Sequence, residues 1–318
     1  VNGDNHLIVD SQNDAVRRGF LTGGLRNISP IWRHKSGTVQ GPADNTLIYV
    51  RGVSNRTKIV EQTCFLLDNG QGYNFANWHM YVYPRLFAYF SAGLHEQNVK
   101  LVVYQNTNPR LLEILRGFGL DPDNFFLHDE HEVSLFTDIY VPSAMSNVER
   151  LLAPEAFTVY DRVTEPSLVK AGLNPTSTWS NGSPPKKVYL SRSDVPRRKM
   201  LNEARIESIA RECGYEIVLA ASLTVLDTLR LFRSVDVICG PSGSTFLNML
   251  YMKQGAHAIM ISHPLYSPTA YLCCQFGGLR NISVSIIFGK VEGGESVSGY
   301  QEPFSADEDA VRQIMTAL

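Results

Sequence analysis

Val235-Asp-Val-Ile-Cys-Gly-Pro-Ser-Gly-Ser-Thr-Phe-Leu-Asn-Met-Leu-Tyr-Met252 is the stretch from which the architecture can be read. Val235 to Cys239 is an apolar, β-branched run of the sort that fills a buried strand. The run breaks at Gly240-Pro241-Ser242-Gly243. Phe246, Leu247, Leu250 and Tyr251 then recur at helical spacing behind Ser244 and Thr245, either of which is a good N-cap. A strand, a glycine turn and a capped helix aim N–H groups and the positive end of a helix dipole at one point. Such a point favours a phosphate or another anion. The plainer reading is an ordinary strand-to-helix connection that binds nothing.

Composition narrows the classes. The 318 residues suffice for two domains, and 44% apolar with 19% charged residues is the balance of a folded globular chain. A net charge of −2 carries no basic surplus for DNA or RNA, so no nucleic-acid partner is expected. No apolar run approaches the roughly 18–20 residues of a membrane span. The chain starts at Val1, with no signal peptide and no Met, which leaves room for a removed leader or anchor. Five cysteines (Cys64, Cys213, Cys239, Cys273 and Cys274) show neither CxxC nor a Cys/His ligand spacing, so structural zinc is not expected. Unpaired thiols such as Cys239 in the buried run point to a reducing compartment. The expected location is cytoplasmic, with peripheral membrane association left open. The triplets at Asn27, Asn55, Asn181 and Asn281 would be glycosylated only if a lost leader took the chain into the Golgi or ER lumen.

Taken in order, residues 1–45 lack periodicity and read as an irregular or partly stranded leader. Leu47 to Arg51 and Cys64 to Leu67 read as strands, followed by a polar, glycine-bearing loop rich in aromatics over 68–78. A helix comes next, with Pro84 in its first turn or kinking it, and Gly93 ends it. Val99 to Tyr104 predicts a strand, 109–117 a helix and 124–127 a short strand. This alternation is the signature of a parallel sheet with crossover helices. Prolines at 142, 154, 166, 175, 184 and 185 then break the rhythm, apart from a short helix over 165–171. The expected division is therefore a domain over 1–150, a connection over 151–185 and a second α/β domain over 186–318, whose last helix could cross back. In that second domain, strands are predicted over 187–191, 215–220, 235–239 and 257–261. Helices are predicted over 202–212, 224–233, from Ser244 to about Gly255, and over 307–318. A hexapeptide shared by 24–29 and 278–283 has no matching surroundings and is not an internal repeat.

Open α/β sheets bind ligands at the carboxyl ends of their strands, and the turn at Gly240 sits at such an end. Arg192 follows directly on the strand ending at Ser191, and Arg197, Arg198 and Lys199 follow within one loop. If the two strands lie side by side, these cations come near the turn and form with it a clamp for a diphosphate. The competing reading is a solvated basic loop. The loop 68–79 offers a carboxylate (Asp68), amides (Asn69, Asn74, Asn77), aromatics (Tyr73, Phe75, Trp78) and an imidazole (His79). Amides and aromatic faces suit a sugar, and Asp68 or His79 could accept a proton as general base. The structural alternative makes Trp78 a core residue, His79 a satisfied histidine and the Asn residues turn formers. His128-Asp-Glu-His131 has no third ligand at a known spacing and reads as solvated surface. There is no GxSxG, Walker A or GxGxxG motif.

These segments together resemble glycosyltransferase family 61. The likeness lies in Val188-Tyr-Leu-Ser-Arg192, Arg198, Leu201-Asn-Glu203, Gly214-Tyr-Glu-Ile-Val218, Asp236-Val-Ile-Cys-Gly-Pro-Ser-Gly243 and Asn248. In the first half it lies in Asn74-Phe-Ala-Asn-Trp78 and Pro84-Arg-Leu86, so that it spans roughly residues 47–265. The resemblance implies a GT-B-like α/β fold, two facing Rossmann-like domains with a cleft between them. It implies inverting, metal-independent transfer from a nucleotide-sugar donor, usually a UDP-sugar, to a glycan acceptor. Arg192, Arg198, Asn202 and Glu203 fall on its characteristic residues, and Gly240, Ser242, Gly243 and Asn248 on its nucleotide-side turn. Four positions depart from the family pattern. Asn77 stands for a His before Trp78, Tyr81 for an acidic residue three beyond it, Ser242 for the turn's His and Ser244 for its Ala.

The expected activity is accordingly that of an inverting glycosyltransferase building a glycan, such as a surface polysaccharide. The donor would be held by Arg192, Arg198, Asn202, Glu203, Gly240, Ser242, Gly243, Ser244, Thr245 and Asn248. The acceptor would be held by Asn74, Asn77, Trp78 and Tyr81, with His79 or Asp68 as base. No cofactor or metal is expected beyond the donor itself. Two alternatives share the architecture: a glycan-binding or scaffold protein that has lost the base, and another nucleotide-sugar enzyme such as an epimerase.

Overall fold

The alternation of apolar runs and helical periods produces two parallel sheets, one in each of two units that divide the chain between Ser167 and Leu168. The computed structural model describes residues 57–68, 75–129, 133–142, 153–170, 172, 186–195, 198–265, 267–291 and 302–318, with short strands ahead of residue 57. Asn69, Tyr73, Asn74, His131 and Arg197 lie outside the described residues.

In the first unit, β1 (Cys64–Leu66), β2 (Lys100–Tyr104), β3 (Phe125–His128) and β4 (Ile139–Tyr140) form a sheet in the order β4-β1-β2-β3. Every neighbouring pair is parallel. Thr57–Val60 and Val133–Phe136 make a separate parallel pair. Helix α2 (Pro109–Gly117) illustrates why the local sequence folds as it does. Pro109 opens it, the Asn108 side chain accepts from the Arg110 N–H at 3.0 Å, and Leu111, Ile114 and Leu115 form the buried stripe.

The segment expected to be a loop up to Trp78 is helical from Phe75 onward. It runs as a turn of α-helix, a π-helix (Trp78–Val82), a 3₁₀ turn (Tyr83–Arg85) and helix α1 (Leu86–Ser91). Pro84 sits at the change of winding, where a residue without an N–H and with a fixed φ cannot continue the ladder. The expected connection also begins inside this unit. Pro154–Arg162 is a 3₁₀ stretch that buries Ala156, Phe157, Val159 and Tyr160 and packs on α1.

The second unit holds five parallel strands: β5 (Lys187–Ser191), β6 (Glu216–Leu219), β7 (Val237–Pro241), β8 (His257–Ser262) and β9 (Ser283–Phe288). Their order is β6-β5-β7-β8-β9, with every pairing parallel. Helices α3 (Glu203–Glu212), α4 (Val225–Ser234), α5 (Ser267–Arg280) and α6 (Glu308–Ala317) join or cover the strands. Tyr189, Ile206, Ile209, Cys239, Ile259, Ile261, Phe304, Val311 and Met315 make one buried cluster. Complete burial of each such aliphatic side chain contributes about 1.5–3 kcal/mol. Helix α6 packs against α3 within the same unit.

Two elements differ from expectation in kind. The strand of the opening stretch runs on through Gly240 to Pro241, and the helix after it is a 3₁₀ helix (Ser244–Tyr251). Its N-cap is Gly243, in extended backbone and with no side-chain cap, so Ser244 and Thr245 are the first helical residues. Asn248 favours the tighter winding by donating from its side chain to the Thr245 carbonyl at 2.9 Å. Helix α5 and strand β9 are additions that periodicity did not announce. No helix among the described residues is long and apolar enough to cross a membrane.

Candidate functional site

The order β6-β5-β7-β8-β9 means that the chain leaves β5 toward one edge and returns to its other side at β7. The carboxyl ends of β5 and β7 therefore flank a topological switch point, where the two connections diverge and leave a crevice. Tyr189 pairs with Cys239, so Arg192 and the 240–243 turn leave the sheet side by side.

Arg192 lies against that turn. A Cβ placed on Gly243 would fall on the Arg192 guanidinium, so the side chain crosses the face of Gly243 at van der Waals distance from its backbone. Gly240 faces a different constraint, because a Cβ there would come within 2.5 Å of the Leu190 carbonyl oxygen on the neighbouring strand. The missing side chains let strand and guanidinium approach the turn together. Ser244 and Thr245, as the first two helical residues, present N–H groups without intrahelical acceptors at the same place. A guanidinium and such an N-terminus can together hold an anion.

Around this core the expected residues divide into two kinds. Glu203 is buried and accepts the Arg192 N–H on Oε1 at 2.7 Å, fixing the backbone from which the arginine projects. Burial raises the Glu203 pKa, and the Arg192 hydrogen bond opposes that rise. Asn202 uses both ends of its amide on one residue: Nδ2 donates to the Ala306 carbonyl at 2.9 Å, and Oδ1 accepts the Ala306 N–H at 3.0 Å. Beside it, Leu201 N–H donates to the Phe304 carbonyl and Phe304 N–H to the Lys199 carbonyl, at 2.8 and 3.1 Å. The loop that carries Arg198 is thus tied to residues 304–306. Arg198 itself has a positive φ of 52°, and its charge bears on His263, the residue following β8. Asn248 is buried beneath the turn.

Ser242, a departure from the family pattern, and His263, which no sequence motif singles out, each follow directly on the end of a strand. Ser242 is 2% exposed and His263 fully buried, and neither Ser242 Oγ nor His263 Nε2 has a hydrogen-bond partner among the described residues. The signal for His263 was its position directly after an apolar strand, on the same edge as Arg192.

In the first unit the expected acceptor residues separate. Trp78 and His79 are fully buried, whereas Asn77 and Tyr81 are partly exposed and lie one helical turn apart. The His79 ring lies between Phe75 and Tyr160, with centroids 4.3 and 6.1 Å away, and edge-on to Tyr83 at 5.0 Å. Its Nδ1 is 3.0 Å from the Phe75 carbonyl oxygen, and Tyr160 Oη donates to the His79 carbonyl. Burial lowers the pKa of this imidazole to about 4, with help from the Arg110 charge and against the Phe75 hydrogen bond. Asp68 is also fully buried, and its Oδ2 accepts from the Tyr104 N–H at 3.3 Å and from Thr107 Oγ1 at 3.1 Å. It pins the loop after β2 to the end of β1. Arg85, which was quoted only as part of the Pro-Arg-Leu segment, is buried at the same edge and donates to the Leu67 carbonyl at 2.9 Å. His128 has Nδ1 3.0 Å from Ser134 Oγ and packs edge-on against Tyr104, at the carboxyl end of β3.

No curated protein matches the chain closely enough to lend it a substrate. The family model "Glycosyltransferase 61" matches residues 75–259, more than half of the chain. The match takes in the helical segment at Trp78, the arginine after β5 and the glycine turn after β7, and on it the chain belongs to glycosyltransferase family 61.

Proposed function

We propose that the chain is an inverting, metal-independent glycosyltransferase that moves a sugar from a nucleotide-sugar, a UDP-sugar in the first instance, to a glycan hydroxyl. The observation that carries this reading is the packing of Arg192 against Gly243 at the β5/β7 switch point. Breaking the bond between a sugar and a diphosphate leaves negative charge on the leaving group. A guanidinium and helix N–H groups already in place stabilise that charge without reorganisation. Arg192, Arg198 and the N–H groups of Ser244 and Thr245 are assigned to the diphosphate, while Glu203, Asn202 and Asn248 hold them in position. The two α/β units are read as the two domains of a GT-B fold, with the second unit holding the donor. The first unit would serve the acceptor through Asn77 and Tyr81, the partly exposed residues of its helical segment.

A second reading is favoured by a specific observation. Both groups expected to act as base, His79 and Asp68, are fully buried, and Asp68 accepts two hydrogen bonds on one oxygen. A base must reach the hydroxyl it deprotonates. A protein that keeps the donor edge and lacks an accessible base would bind a nucleotide-sugar or glycan without turning it over.

Thermal-shift titration with UDP-, GDP- and CMP-sugars, followed by a donor hydrolysis assay with and without glycan acceptors, separates the two. Stabilisation with sugar release supports the transferase. Stabilisation without release under any acceptor supports the binding protein, and no stabilisation by any nucleotide-sugar removes the donor site from both readings.

A further inference from the structure

We infer that His263 is a phosphate ligand of the donor site, donating from Nε2 beside the turn at Gly243. The inference rests on the donor-site reading above and extends it to a residue on a third strand.

The argument starts from hydrogen-bond bookkeeping. A buried polar group left without a partner costs about 1–3 kcal/mol, so a folded chain that keeps one has a use for it or fills it with a ligand or water. Buried side-chain atoms of the second unit with no partner among the described residues include Tyr189 Oη, Tyr215 Oη, Ser242 Oγ and His263 Nε2. The two phenols sit within or ahead of strands, in the core cluster. Ser242 and His263 instead follow the carboxyl ends of adjacent strands. The register of β7 and β8 ends at Pro241 opposite Ile261, and the Ser242 N–H then bonds the Ile261 carbonyl at 2.7 Å. The chain from Ser242 onward therefore leaves the sheet beside Ser262 and His263. The next residue, Gly243, is the one crossed by Arg192.

The tautomer is set by geometry. His263 Nδ1 is 3.1 Å from the Leu265 backbone N–H, which has a proton to give, so Nδ1 accepts. A neutral imidazole that accepts at Nδ1 carries its proton on Nε2. The unpartnered atom is thus a donor, which suits a phosphate oxygen and does not suit a cation. Burial, together with the Arg198 charge and against Glu302, lowers the pKa of the ring and keeps it in this form. The edge contact with Phe304, at 5.6 Å between centroids, holds the ring plane. The same register sets His263 opposite Gly243, whereas Ser242 stands opposite Ser262 and faces the other side of the sheet, so His263 makes this contact from its own face.

The test uses UDP and uridine as probes on the whole chain at neutral pH, by calorimetric titration and thermal melting, with His263→Phe, His263→Gln and His263→Ala. A phosphate ligand predicts that His263→Phe binds UDP roughly tenfold more weakly or worse, binds uridine as wild type does, and melts no lower than wild type without ligand. His263→Gln retains an N–H donor and should recover part of the UDP affinity. Unchanged UDP affinity in His263→Phe overturns the inference. So does an equal loss of UDP and uridine binding accompanied by a lower melting temperature, which would mark His263 as structural. If His263→Phe does not fold, His263→Ala takes its place: UDP affinity equal to wild type overturns the inference, and a loss confined to UDP supports it. Should wild type bind none of UDP, GDP or CMP, the donor-site reading falls first and takes this inference with it.

Discussion

The Arg192 guanidinium rests on the backbone of Gly243, across the gap between the strand that ends at Ser191 and the one that ends at Pro241. Each of these residues needs the other's character. A side chain at 243 would occupy the guanidinium's place, and a shorter cation at 192 would leave the glycine face open. The contact ties an arginine named by its place after a strand to a turn named by its glycines. It is also the narrowest point at which a substitution can disturb the proposed donor site without touching the core.

Gly243→Ala makes that separation measurable. The backbone at 243 is extended, with φ −176° and ψ 173°, a conformation that alanine adopts without strain. The new methyl meets the far end of a flexible side chain, so the expected change in folding stability is within about 1 kcal/mol. Arg192 must move off the turn, and UDP affinity should fall roughly tenfold or more, as should that of Arg192→Lys, which keeps the charge and loses the fork. Melting curves and UDP titrations of both variants check this, and wild-type affinity in Gly243→Ala would remove the functional weight from the contact.

Gly240→Ala should behave in the opposite way. Its Cβ would lie 2.5 Å from the Leu190 carbonyl oxygen, an atom of the neighbouring strand and not of a mobile side chain. The strands must part for the methyl to fit, and overpacking of this kind costs roughly 1–3 kcal/mol. Denaturant unfolding should show a clear loss of stability in Gly240→Ala and little in Gly243→Ala. Equal losses in the two would contradict the distinction between backbone and side-chain neighbours.

Asn202 offers a test of positioning as against binding. Asn202→Ala strips the partners from both the N–H and the carbonyl of Ala306, and each unsatisfied group costs about 1–3 kcal/mol if it stays buried. The loop with Arg198 is tied to the same 304–306 segment, so UDP affinity should fall together with stability. Asn202→Asp keeps the oxygen that accepts the Ala306 N–H but turns a carboxylate oxygen toward the Ala306 carbonyl and Glu308, and should be no more stable than Asn202→Ala. A variant that binds UDP more weakly at wild-type stability would instead mean that Asn202 touches the donor directly.

The parts of the molecule that were legible in the sequence share one property: their apolar pattern is local and strong. The apolar runs at 188–190 and 237–239 and the capped helix at 109–117 declare themselves because core contacts dominate each residue's environment. Helix α5 escaped because Pro268, Gly277 and Gly278 look like punctuation, and Gly277 earns its place only through contact with β9. A Cβ there would strike Val284 and the Ile282 carbonyl at 2.5 and 2.7 Å. Strand β9, at the edge of its sheet beside β8, is half-exposed along its length, so it lacks a buried strand's continuous signal. At the site, Arg192 and the turn were found because strand ends can be located from sequence. Local sequence left His79 open between a base and a satisfied histidine, because the partner that closes its aromatic surroundings, Tyr160, lies 81 residues away.

His79 makes the last prediction. Burial lowers its pKa from the ordinary 6.5 to about 4, so the folded chain refuses a proton that the unfolded chain accepts. Above pH 6.5 the imidazole is neutral in both states, and its full contribution to stability is present. As pH falls from about 6.5 toward 4 the unfolded state gains the proton, and stability is lost through that window; below about 4 both states are protonated and the dependence ends. The total is about 3 kcal/mol, of which about 2 kcal/mol should be gone by roughly pH 5. His79→Phe keeps a ring among Phe75, Tyr83 and Tyr160 and removes the titration, so its stability should vary less with pH than that of wild type, whatever its value at neutral pH. Denaturant unfolding of both proteins at intervals from about pH 7 to 4.5 reads the difference in slope. Parallel curves would mean that the imidazole takes up its proton in the folded chain, in which case it is open enough to solvent to return as a candidate base.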